Sequence, residues 1–216
     1  MTATTDSGVS AILLAAGLSR RFSDGDKLLA PLAGEPLLVH TARAIASSAV
    51  SELLAVTGHE HDARRAVLGP FRVRHVVVDT SQHGQGASIA AGVAAVDATA
   101  RGVMIVPADM PRLDARLLDR LIAQVLSGGA RHIVCPAVGG AQRPPVIWPA
   151  ALLDELRQLE GDGGGKSVIA LHADLASPVA LDAGEALCLD DVDTHADLRR
   201  IAAGMARATA AARPAS

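Results

Sequence analysis

The sequence predicts an α/β fold in which a mostly parallel sheet carries helices on both faces. Three observations lead there. Short apolar runs alternate with stretches of helical spacing through the first two-thirds of the chain. Half of the 216 residues are hydrophobic, yet only 1% are aromatic, so the core has to be built from Ala, Val, Leu and Ile. Polar, charged clusters follow directly after the apolar runs, where a parallel sheet places its functional loops. Successive β-α-β units give such a sheet because each crossover lays a helix on one face.

Val9–Ala15 reads as a buried strand, and 36–48 as a helix with Pro36 near its first turn. A second strand is expected at 53–57, a short helix at His61–Leu68 and a third strand at 73–79. Residues 87–96 are helical in spacing, and 102–108 gives a fourth strand that ends at Asp109. Asp114 is placed to cap a helix carrying Leu117, Leu118, Leu121, Ile122 and Val125 on one face. The remainder is less regular. Strands are expected at 132–137 and 145–148, a helix at 150–159, short strands at 179–182 and 186–190, and a final helix over 194–205. The expected organisation is a flexible N-terminus at 1–8, a single domain at 9–205 and a disordered tail at 206–216.

Composition removes several classes of function. Formal net charge is −3 and there is no Tyr and a single Trp, so neither a basic footprint nor aromatic stacking platforms for nucleic acid exist. No run approaches the roughly 18 apolar residues of a membrane-spanning helix, and the polar N-terminus does not resemble an export signal. Cys135 and Cys188 lie far apart in apolar runs and read as buried small hydrophobes, with no CxxC spacing. No nucleic-acid or membrane partner and a cytoplasmic location are expected.

The first polar cluster is the most informative. Residues 12–27 read Ile-Leu-Leu-Ala-Ala-Gly-Leu-Ser-Arg-Arg-Phe-Ser-Asp-Gly-Asp-Lys. A strand runs into a turn offering backbone N–H groups, a hydroxyl, the guanidiniums of Arg20 and Arg21, and the ammonium of Lys27. That array suits a polyanion such as a phosphate chain. Only two of the twenty cationic residues are Lys, so a compact point charge at position 27 stands out. A plain solvent-facing basic loop is the competing reading.

Asp109, in Val106-Pro107-Ala108-Asp109-Met110-Pro111, is the second candidate. A carboxylate at the end of an apolar strand is solvated, paired or bound to metal, because burying it alone is prohibitive. Opposite a triphosphate it would hold Mg²⁺, which binds one or two carboxylates plus phosphate oxygens; a turn before Pro is the alternative. The stretch from Asp79 to Ser88 and the acidic run 190–194 complete the strand-end clusters. Gly161-Asp162-Gly163-Gly164-Gly165-Lys166-Ser167 is not a Walker A loop, since Glu160 stands where Gly is required and a helix precedes it; a helix-to-helix turn fits better. No G-x-G-x-x-G follows the first strand, and His59 and His61 lack a third ligand and read as surface residues.

With these clusters placed, the chain resembles the nucleotidyltransferase family that includes molybdenum cofactor cytidylyltransferases and guanylyltransferases. The family's L-A-A/G-G-x-S-x-R-M-G…K opening matches at Leu14, Ala15, Ala16, Gly17, Ser19, Arg21 and Lys27. Gly84-Gln85-Gly86-Ala87-Ser88-Ile89-Ala90-Ala91-Gly92 approximates G-x-x-S-L-x-x-G-L, Asp109-Met110-Pro111 matches D-M-P, and Asp193-Thr194-His195-Ala196-Asp197-Leu198 is similar to D-T-P-E-D-L. Phe22 and Ser23 depart from Met-Gly, one extra residue precedes Lys27, and Gln142-Arg143-Pro144-Pro145-Val146 replaces the usual R-G-H-P-V.

The resemblance implies a Rossmann-like three-layer sandwich of the nucleotide-diphospho-sugar-transferase type. It further implies transfer of a nucleoside monophosphate from an NTP to the phosphate of a molybdopterin-type cofactor, with release of pyrophosphate and with a molybdoenzyme receiving the product. Lys27, Arg21 and Asp109 would carry the chemistry. Leu14, Ala15, Ala16, Gly17, Ser19, Asp79, Gly86 and Ser88 would join Arg21 and Lys27 around the nucleotide, and Asp109 with Asp193 would hold Mg²⁺. The Ala15-Ala16-Gly17 opening resembles the cytidylyl branch, which implies CTP. Guanylyl transfer, a different acceptor, a non-catalytic carrier of the cofactor and an oxidoreductase on the same fold are the alternatives.

Overall fold

In the computed structural model, residues 7–19, 22, 25–58, 60–79 and 84–211 are described. Arg20, Arg21, Ser23, Asp24 and His59 therefore lie outside the described residues, as do 80–83 and most of the expected N-terminal segment.

Strand β1 (Val9–Ala15) occupies the middle of the sheet, and its alternation explains the three layers. Ala11, Leu13 and Ala15 face one apolar cluster, while Ile12 and Ala16 face another. Successive side chains on a strand point to opposite faces, so a strand with apolar residues on both faces must be covered on both. The first cluster is filled by α1 (Leu37–Ala46), α4 (Ala115–Ser127) and α7 (His195–Ala211) through Leu38, Ile45, Leu118, Leu121, Ile122 and Ile201. The second is filled by α3 (Gly84–Ala94), α5 (Leu153–Arg157) and α6 (Lys166–Leu171) through Ile89, Val93, Leu156 and Val168, packed around Trp148. The short α2 (His61–Leu68) packs beside α1.

Parallel pairing joins β1 to β4 (Glu52–Thr57) on one side and to β6 (Gly102–Pro107) on the other, and β4 to β5 (Arg74–Val77). Beyond β6 lies β9 (Val146–Pro149), antiparallel to both β6 and β7 (Ile133–Val138). The edge strand β10 (Ala176–Ala180) pairs parallel with β7, and β8 (Ala141–Gln142) adds a short hairpin to it. Because the chain builds outward from β1 to β5 and then crosses back to β6, the connections diverge at the carboxyl ends of β1 and β6. An α/β sheet opens its ligand crevice at such a point.

The expected elements recur with shifted ends and some corrections. Residues 186–190 form a 3-10 helix, Glu185–Leu189, rather than a strand. The strand placed at 179–182 is β10, three residues earlier; Pro178 sits inside it, tolerated because β10 is an edge strand. The helix expected at 150–159 divides into a 3-10 turn, Ala150–Leu152, and α5. The last helix continues past Met205 to Ala211. A hairpin of β2 (Pro31–Leu32) and β3 (Glu35–Pro36) was not anticipated. Its two-residue turn puts Ala33 at φ 52° and Gly34 at φ 91°, and Ala gives no sequence signal for a left-handed position. Among the described residues no helix is long and apolar enough to cross a membrane.

Candidate active site at the carboxyl ends of β1 and β6

The loop after β1 is shaped by two polar side chains. Ser19 takes a left-handed backbone (φ 51°), its carbonyl accepts from Phe22 N–H at 2.8 Å, and its hydroxyl lies 3.2 Å from Asp26 Oδ1. Asp26 caps the 3-10 turn Lys27–Leu29 by accepting from Leu28 N–H at 3.0 Å. Lys27 thus leaves the start of a capped turn, with its side chain only 12% exposed.

Its ammonium reaches across the crevice. Lys27 Nζ is 2.8 Å from Asp109 Oδ2 and 3.4 Å from Asp193 Oδ1. Asp109 follows β6, where Ala108 N–H donates to Leu14 O at 3.2 Å and Thr41 Oγ1 donates to Ala108 O at 3.0 Å. The Asp109 carbonyl then accepts from Val192 N–H at 3.0 Å, which ties the segment before α7 to the end of β6. Three stretches distant in sequence converge on one ammonium.

Asp193 does not serve as the helix cap. Thr194 does: its hydroxyl accepts from Asp197 N–H at 3.2 Å and donates to Asp197 Oδ2 at 2.7 Å, while Asp197 accepts from Thr194 N–H at 3.0 Å. This reciprocal capping box leaves the Asp193 carboxylate directed at Lys27. The Thr194 hydroxyl, followed by further hydrogen bonds, holds the Asp197 carboxyl below its usual range. His195, next in the chain, lies against Phe22 with ring centroids 3.8 Å apart, so the loop after β1 also touches the start of α7.

The two carboxylates suit a hard divalent cation. Among the described residues no group of three or more His, Cys, Asp or Glu side chains gathers to hold a metal. A pair of Asp oxygens completed by phosphate and water is the usual protein share of a Mg²⁺ site, and an ammonium already sits between these two. The donor set therefore fits.

Arg64 was missed by sequence reasoning. It is fully buried, and its guanidinium donates to both Asp26 oxygens (2.7 and 2.9 Å), to Gly17 O at 2.9 Å and to Ala15 O. Only the Arg64-Arg65 pair within a short helix could have hinted at it.

Of the expected nucleotide contacts, Gly17 is exposed, Leu14 and Ser19 are half-buried, and Ala15 and Ala16 are buried at the strand end. Asp79 is exposed beyond β5. Gly86 and Ser88 are buried instead, on the packed side of α3. A Cβ on Gly86 would lie 2.7 Å from Glu160 O, and Gly86 N–H donates to Gly161 O at 2.7 Å. Residues 161–165 form the helix-to-helix turn that was expected, docked against α3. His61 is bonded to Thr57 through Nδ1 at 2.7 Å. Cys135 is buried, which pushes its thiol up to about 11; Cys188 is half-buried and its thiol is also raised, chiefly by burial.

With this geometry in place, known proteins give a consistent picture. The MobA-like NTP transferase domain matches residues 11–177. A molybdenum cofactor guanylyltransferase from Bradyrhizobium sp. (strain ORS 278) is 34% identical over 161 residues, covering 73% of this chain and 74% of that protein. The bifunctional protein GlmU of Leifsonia xyli is 35% identical over 136 residues, 62% of this chain but 28% of its own length; the chain spans only about a quarter of the GlmU proteins it matches. Among solved structures, the homologue of Mycobacterium tuberculosis Rv0371c from Mycobacterium sp. strain JC1 superposes with a TM-score of 0.80 at 26% identity, covering 94% of this chain and all of that one. M. tuberculosis Rv0371c in complex with manganese gives 0.75 at 26% identity, covering 90% and 98%. The chain belongs to the MobA-like NTP transferase family.

Proposed function

We propose that this protein transfers a nucleoside monophosphate from an NTP to the terminal phosphate of a molybdopterin-type cofactor and releases pyrophosphate. The observation that carries the proposal is the position of Lys27, held between Asp109 and Asp193 in the crevice beyond β1 and β6.

An acceptor phosphate oxygen attacks the α-phosphorus, a new P–O bond forms, and the bond to the bridging oxygen of the β-phosphate breaks. Both reactants are anions, so the protein's task is alignment and charge neutralisation rather than nucleophilic catalysis. The exposed backbone at Gly17, the Ser19 turn, Arg21 and Lys27 bind the triphosphate and stabilise charge on the departing pyrophosphate. Asp109 and Asp193 would hold Mg²⁺, or the manganese found with Rv0371c, which neutralises phosphate charge. Asp79 and the α3 region border the base and ribose; with Gly86 and Ser88 buried, they shape that wall through packing.

CTP is the proposed donor, on the Ala15-Ala16-Gly17 opening. GTP is the second reading, favoured by the guanylyltransferase from Bradyrhizobium and a probable one from Haloferax mediterranei, 33% identical over 148 residues. A molybdoenzyme is the proposed recipient of the product. Pyrophosphate release is measured with CTP, GTP, ATP and UTP, each with and without molybdenum-loaded molybdopterin and Mg²⁺. Acceptor-dependent release with CTP supports the reading, a GTP preference moves the protein to the other branch, and silence with all four refutes transfer to this acceptor.

A further inference from the structure

We infer that Arg64 is a positioning residue for the triphosphate loop, holding Ala15, Gly17 and Asp26 in their receptive arrangement from α2. The inference rests on the nucleotidyl-transfer reading and names a determinant that reading lacks.

Burial is the first argument. An unpaired guanidinium inside a protein is prohibitively costly, so a fully buried Arg is kept only where its donors are matched. Four hydrogen bonds from Arg64 reach the end of β1 and the loop after it: two go to Asp26, one to Gly17 O and one to Ala15 O. The side chain of Asp26 is itself only 5% exposed. None of these bonds serves the sheet or a helix ladder.

Electrostatics is the second. Two carbonyl oxygens and a carboxylate next to a polyanion site would repel the ligand. Arg64 engages all three and brings the formal charge of the Asp26–Arg64 pair to zero, which removes that local repulsion from what a phosphate meets. Through Asp26 the effect extends further, because the same carboxylate bonds Ser19 Oγ and Leu28 N–H and thereby sets where Lys27 begins. A lysine cannot copy this, since a point charge does not span three acceptors as a planar fork does.

The test uses Arg64→Lys and the double variant Asp26→Asn/Arg64→Gln in the full chain. Lysine keeps the charge opposite Asp26, and the double variant removes both charges together. Hydrogen exchange of the ligand-free protein is measured for peptides covering 16–28, alongside thermal stability, NTP binding, and KM and kcat for the NTP. In Arg64→Lys we expect exchange in 16–28 to quicken by about tenfold while other peptides keep their rates, and KM to rise about tenfold with a smaller change in kcat. The double variant recovers stability yet keeps the raised KM. Wild-type exchange and KM in Arg64→Lys overturn the inference, as does a KM that returns to normal whenever stability does. A wild-type protein that binds no NTP defeats the proposed function and this inference together. Equal NTP binding by wild type and variants removes only the role of Arg64.

Discussion

Replacing Lys27 with Met keeps the aliphatic stem and removes the one ammonium that faces both carboxylates. In the native site Nζ lies 2.8 Å from Asp109 and 3.4 Å from Asp193, with side-chain exposures of 12% for Lys27, 22% for Asp109 and 44% for Asp193. At an effective dielectric of about 20, unit charges ~4 Å apart interact by ~4 kcal/mol. Solvent at the Asp193 side weakens this, so about 3–4 kcal/mol is the share expected at a bound phosphate. Placed in the transition state, that share corresponds to a loss of about two to three orders of magnitude in kcat/KM. Folding should suffer far less, because partly exposed ion pairs contribute little net stability, about 1 kcal/mol or below. The assay is continuous pyrophosphate release, with circular dichroism and a thermal melt as controls. A Lys27→Met protein within about threefold of wild-type kcat/KM would refute the reasoning, since ~0.7 kcal/mol is too little for a charge contacting the reacting phosphates.

Asp109→Asn tests the other side of the same pair: turnover should fall by about two to three orders of magnitude with the melting temperature nearly kept, and unchanged turnover would remove Asp109 from the site. Thr194→Ala breaks the capping box and should cost about 1 kcal/mol, about 2–4 °C in melting temperature for a domain of this size. Asp197 has its carboxyl held below the ordinary 3.8, first by the Thr194 hydroxyl. Its contribution is therefore present above that value and lost as pH falls through the depressed one, so the stability drop below about pH 3.8 should be shallower in Thr194→Ala. Gly86→Ala would press a methyl onto the backbone of Glu160 and Gly161. Denaturant unfolding should show a loss of about 1–3 kcal/mol, and a neutral result would contradict the close approach. Cys135, pushed up to about 11 by burial, should resist a thiol reagent at pH 8 until the protein unfolds, whereas half-buried Cys188 reacts first.

The sequence carried the layers and the strand-end clusters because both depend on local pattern. A largely apolar run such as Val9–Ala15, followed by turn residues, reads as a doubly covered strand, and an acidic residue at the end of 102–108 then falls at the crevice. Sequence reasoning set Asp109 opposite Lys27 across a phosphate site, as a metal ligand; in the structure the two side chains meet directly, which no pattern indicated. What pattern does not carry is tertiary choice. The residues near 186–190 alternate well enough for a strand but turn as a 3-10 helix, because β10 with Pro178 already forms the edge. Whether Asp193 or Thr194 caps α7 depended on which side chain met Asp197 across one turn. Arg64 was invisible for a related reason. Its partners are Asp26 and two carbonyls 38 to 49 positions away, and no spacing rule links a helix residue to a loop it covers.

The central claim is chemical transfer at the Lys27–Asp109 crevice, and following the α-phosphate tests it most directly. NTP labelled at the α-phosphate is incubated with molybdenum-loaded molybdopterin, Mg²⁺ and the protein, and the products are resolved by mass and label. The account predicts label on a species heavier than the acceptor by one nucleoside monophosphate, matched by an equal amount of pyrophosphate and lost in Asp109→Asn. Label that remains in NTP, or appears as free nucleoside monophosphate regardless of acceptor, would contradict it.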